Sequence, residues 1–90
     1  MTVVELVRVM DNPKLAEPES QIVTVVCESD YCNHDKNHSY SYWYGTINEI
    51  LTKYSSGFLQ GLGNAEVLKL TTTYDYDLEE TIPQIIATDF

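Results

Sequence analysis

The chain is 90 residues long, enough for a single domain (1–90) and too short for a second core. Five Lys and Arg against 14 Asp and Glu give a formal net charge of −9, a field that repels nucleic acid and anionic membranes. A hydrophobic share of 43% argues against global disorder, no apolar run approaches the ~18 residues of a membrane span, and two cysteines are too few for a disulfide scaffold. The opening Met1-Thr2-Val3-Val4-Glu5 lacks the basic region of a signal peptide, so a reducing cytoplasm is the expected location.

The first segment, residues 2–11, reads in two ways. Val3, Leu6, Val7 and Met10 fall on one helical face, and Thr2 with Glu5 has the spacing of a capping box. The crowding of valines favours an extended chain instead. Helix is the preferred reading, strand the alternative, and Asn12-Pro13 ends the element in either case. Residues 13–20 read as a loop. Gln21 to Cys27, with Ile22, Val23, Val25 and Val26 crowded together, predicts a strand buried on both faces.

Residues 28–38 are polar and form a long connection. Ser39 to Tyr44 then alternates and predicts a strand paired antiparallel with 21–27, with Tyr40, Tyr42 and Tyr44 on one face and Trp43 on the other. Thr46 and Glu49 make a second capping box, opening the main helix along Ile47, Ile50, Leu51, Tyr54 and Phe58; Gly57 weakens it, and Gly61 and Gly63 act as stops. Glu66 to Tyr76 predicts a third strand. Residues 78–90 carry Leu78, Ile82, Ile85 and Ile86, but Pro83 restricts them, and a partly ordered tail is expected. The elements imply an α+β fold, a small antiparallel sheet of three or four strands with one main helix on one face.

Three features carry potential chemistry. Cys27, Cys32, His34 and His38 supply the count and softness of a tetrahedral zinc site, though not its common spacing, and a structural zinc is the one cofactor to consider. The alternative is a core-facing Cys27 with the other three solvated. Seven tyrosines and one tryptophan, concentrated around residues 40–44, suit core packing, an interface or a homodimer contact. Base stacking also needs a basic groove, and the net charge opposes one. Finally, Tyr74-Asp75-Tyr76-Asp77-Leu78-Glu79-Glu80 concentrates negative charge beyond Lys69, the last cation of the chain. A strand continuing through Asp77 would put Asp75 and Asp77 on one face about 6.8 Å apart. The bland alternative is an acidic strand edge that discourages aggregation.

The glycines follow a helix where a phosphate loop must precede one, and no nucleophile elbow or metal-hydrolase helix is present. A non-catalytic protein is therefore expected. The leading functional expectation is an acidic binding protein, most concretely an inhibitor or mimic that occupies a basic groove on a nucleic-acid-binding protein. Phage-encoded inhibitors and immunity proteins share this size and charge. Its contact residues are Tyr74, Asp75, Tyr76, Asp77, Glu79 and Glu80. The alternatives are a zinc-stapled module using residues 27–38 and an assembly subunit that self-associates through its aromatic strand.

Overall fold

The computed structural model describes residues 1–10, 17, 20–28, 42–53 and 57–88. Along the chain run α1 (Val3–Val9), β1 (Ile22–Cys27), β2 (Tyr42–Thr46), α2 (Ile47–Lys53), α3 (Gly57–Asn64), β3 (Val67–Asp75) and β4 (Glu80–Ala87). The strands form one sheet in the order β2-β1-β4-β3. The architecture is α+β, and no helix among the described residues is long and apolar enough to cross a membrane.

Two capping boxes start the first two helices. In α1, Glu5 N–H donates to Thr2 Oγ1 at 3.2 Å and Thr2 N–H donates to the Glu5 carboxylate at 3.0 Å. Seven residues are too few for a helix that stands alone in water, so α1 depends on this cap and on burial of Val3, Val4 and Val7. The cap and the apolar stripe outweigh the few tenths of a kcal/mol that each valine costs in a helix, and the helical reading of this segment is the one adopted. Val3 N–H donates to Ala65 O and Val67 N–H to Met1 O, tying the N-terminus to the start of β3.

Thr46 has two roles. It ends β2 and caps α2, with Glu49 N–H donating to its Oγ1 at 3.1 Å and its own N–H donating to Glu49 Oε1 at 3.2 Å. Strand therefore passes into helix with no loop between them. Just before it, Gly45 leaves room for the Trp43 indole, because a Cβ there would stand 2.8 Å from two ring carbons.

β1 pairs antiparallel with β2, as expected, with Val25 opposite Trp43 and Thr24 opposite Tyr44. Its burial on both faces follows from its inner position. The expected antiparallel sheet holds for the two outer pairs, while β1 and β4 at its centre are parallel, so the four-stranded sheet is mixed. The segment expected as a partly ordered tail supplies β4, an inner strand in which Ile82, Ile85 and Ile86 are buried. Proline is tolerated there because registered pairing with β1 begins only at Gln84, one residue beyond Pro83. The stretch expected as the main helix carries α2 and α3, with residues 54–56 between them outside the described residues, and Gly61 and Gly63 lie inside α3, where burial of Leu62 offsets their poor helix propensity. The Asn12-Pro13 stop, the loop residues between 29 and 38, Tyr40, Tyr54 and the Phe58 side chain lie outside the described residues.

The helices cover one face of the sheet. Val23 and Val25 of β1 and Ile85 and Ala87 of β4 meet Val3, Val7, Ile47, Ile50 and Leu62 there, with Trp43 packed against them. Alternation sends Thr24 and Val26 of β1, and Ile82, Gln84 and Ile86 of β4, to the other face, where they are buried as well.

Candidate functional site

The opposite face, free of helix among the described residues, carries a concavity of about 450 Å³ that gathers residues from all four strands. Thr24 and Gln84 are direct register partners on β1 and β4, and Tyr44 lies beside Thr24 on β2. Tyr42, Thr73 and Ile82 add to the strand contribution, and Tyr74 and Asp75 at the end of β3, with Tyr76 and Asp77 of the following turn, close one end. A space of this size, lined by four tyrosines and a few polar residues, has the dimensions of a small-ligand or side-chain pocket.

One contact sets the shape. Tyr44, on one outer strand, donates its hydroxyl to Asp75 Oδ2 on the other outer strand. Three strand spacings would separate those strands by about 14 Å in a flat sheet. A bond between two side chains over that span favours a sheet curled toward its helix-free face, which makes the face concave. Asp75 is 7% exposed, and its second oxygen accepts from the N–H groups of Asp77 (2.9 Å) and Leu78 (3.2 Å). An aspartate folding its own downstream backbone in this way defines a turn. That turn is Tyr76–Glu79, and it ends with Glu79 at φ 56°, in the left-handed region.

The electrostatics follow from the same contact. The Tyr44 hydroxyl is pushed up to about 12, first by its hydrogen bond to Asp75, then by desolvation and by the charges of Asp75 and Asp77. The hydrogen bond from Tyr44 and those from Leu78 and Asp77 hold the Asp75 carboxyl below its ordinary value, against the opposing effect of desolvation.

The floor holds an anomaly. Thr24 is 3% exposed, yet its Oγ1 finds no hydrogen-bond partner among the described residues. A buried hydroxyl without a partner is unusual and costs free energy.

The expected contact residues are split by this geometry. β3 ends at Asp75, so Asp75 and Asp77 do not form a strand-face pair; Asp75 is turned inward and Asp77 belongs to the turn. Asp77, Glu79 and Glu80 are exposed around the β3–β4 turn, as are Leu78 and Tyr76, the latter 83% exposed. Tyr74 packs edge-on against Tyr76 with ring centroids 4.9 Å apart. Cys27 is a half-buried free thiol at the end of β1, on the side of the sheet shared by Val23 and Val25; Cys32, His34 and His38 lie outside the described residues. No cluster of three or more metal-binding side chains occurs among the described residues.

Sequence reasoning missed Thr24 and Gln84. The signal was available: each is a single polar residue in an apolar run, Ile22-Val23-Thr24-Val25-Val26 and Ile82-Pro83-Gln84-Ile85-Ile86. No family model matches the chain, and no curated protein or solved structure matches it either.

Proposed function

We propose that this is a non-catalytic acidic binding protein whose β3–β4 turn docks on a basic protein surface, most concretely in the groove of a nucleic-acid-binding enzyme. The observation that carries the reading is the turn itself. Asp77, Glu79 and Glu80 are exposed around Tyr76 and Leu78, and no cation follows Lys69 in the chain. Carboxylates interleaved with amphipathic rings can take the place of phosphates and bases on such a groove, and a net charge of −9 speeds the encounter. Asp75 plays a different part, holding the turn through two backbone N–H groups and positioning the contacting residues without making contact itself.

A displacement assay tests this. A panel of purified DNA- and RNA-processing enzymes, each holding a labelled oligonucleotide, is titrated with the protein at low salt. Release from at least one enzyme is expected, lost when Asp77→Asn, Glu79→Gln and Glu80→Gln are combined. Equal release by that neutralised variant refutes docking through the turn.

A further inference from the structure

The concavity beside the turn contains a polar floor that the docking of exposed carboxylates does not use. Thr24 lines the cavity, and its Oγ1 is buried and unpartnered among the described residues. Tyr42 and Tyr44 lie on the same face as Thr24, Tyr74 and Tyr76 are among the residues that line the same space, and Asp75 and Asp77 stand at one end. Each component constrains the ligand. The two carboxylates exclude an anion, since a phosphate or carboxylate would be forced against like charge. The rings favour a cation, whose charge is attracted to the electron-rich face of each π system. A hydroxyl with unused lone pairs completes the set if the ligand brings N–H donors.

A flat guanidinium meets these terms better than an ammonium. It stacks on ring faces, is weakly hydrated and therefore less costly to bury, and carries five N–H donors in a fixed plane. We propose that the cavity on the helix-free face binds an arginine side chain, supplied by the basic partner, with the tyrosine rings flanking the guanidinium and Thr24 Oγ1 accepting one of its N–H groups. This rests on the docking reading above and deepens it: the turn steers the partner, and the cavity takes one of its arginines.

The probe is N-acetyl-arginine N-methylamide, titrated into the whole protein carrying 13C-labelled tyrosine, with the ring resonances followed by NMR. Saturable shifts confined to Tyr42, Tyr44, Tyr74 and Tyr76 are expected. The citrulline analogue keeps the shape but replaces the guanidinium with a neutral urea, and the lysine analogue keeps the charge but loses the plane; each is expected to bind about tenfold more weakly. Thr24→Val is expected to weaken arginine binding while raising the melting temperature, a pairing that loss of folding cannot mimic. Tyr76→Ala, at an exposed position with no role in the core, is expected to weaken binding with the fold intact. Absence of saturable shifts, equal binding of the citrulline or lysine analogue, or full affinity in Thr24→Val overturns the proposal. No partner protein is needed, so the two readings fail separately: enzyme displacement without arginine binding removes the cavity proposal alone, and arginine binding without displacement removes the docking reading.

Discussion

Replacing Thr24 with Val turns the buried-hydroxyl observation into a number. Thr24 lies on an inner strand between Tyr44 and Gln84, flanked in sequence by the buried Val23, Val25 and Val26. Its hydroxyl is out of water and has no partner among the described residues, an arrangement that costs about 1–3 kcal/mol. Valine has the same branched shape and an equal or better preference for strands, so the substitution removes the cost without opening a cavity. Allowing part of the gain to be lost to small packing shifts, we expect a stabilisation of about 1–2 kcal/mol. For a domain of this size each kcal/mol moves the melting temperature by about 4–8 °C, and with a urea m-value of about 1 kcal/mol/M the midpoint rises by about 1–2 M. Urea unfolding followed by Trp43 fluorescence reads this directly, with an unchanged slope confirming that stability alone has moved. An unchanged or lowered midpoint would mean instead that the hydroxyl has a partner in the folded protein, and the cost assigned to it would be wrong.

Gly45→Ala is expected to destabilise by about 1–3 kcal/mol in the same assay, because the new methyl meets the Trp43 ring at 2.8 Å and crowds the Glu49 carboxylate of the capping box at 3.1 Å. Glu79→Gly is expected to stabilise by up to about 1 kcal/mol, since glycine adopts positive φ without the cost an L side chain bears there; Glu79→Val is expected to destabilise, and equal behaviour of the two argues against the left-handed turn. The Tyr44–Asp75 bond predicts a pH window with two edges. The raised Tyr44 value means that its contribution is complete below pH ~10 and disappears as pH rises toward about 12. The lowered Asp75 value means that its contribution is complete above its ordinary range near pH ~4 and disappears in stronger acid. Thermal melts from about pH 3 to 12 on the parent and on Tyr44→Phe check both edges, and the variant is expected to show a shallower alkaline decline.

Local rules carried much of the fold. The boxes Thr2–Glu5 and Thr46–Glu49 are read from spacing alone, and both form with the expected hydrogen bonds. The split of Trp43 from Tyr42 and Tyr44 follows from the two-residue period of a strand, and the indole does face the core. What failed depended on distant partners. Pro83 argued against a strand because a ladder needs N–H groups, but only pairing with β1 fixes where those groups are needed. The parallel central pair could not be read locally either, since it joins strands separated by β2, two helices and β3. Asp75 belonged by composition to an acidic surface run, and its inward role appears only when Tyr44 reaches it from the opposite edge. The candidate cavity is likewise a product of topology. Thr24 and Gln84 are far apart in sequence and become neighbours because β1 and β4 adjoin.

Docking of the acidic turn in a basic groove makes displacement depend on salt. An enzyme that releases its oligonucleotide to this protein would be assayed from low to physiological ionic strength with the parent and with the Asp77→Asn, Glu79→Gln, Glu80→Gln variant. The association rate of the parent is expected to fall by about tenfold or more across that range, and that of the variant to start slow and change little. Equal rates for the two proteins, or a parent indifferent to salt, would contradict it.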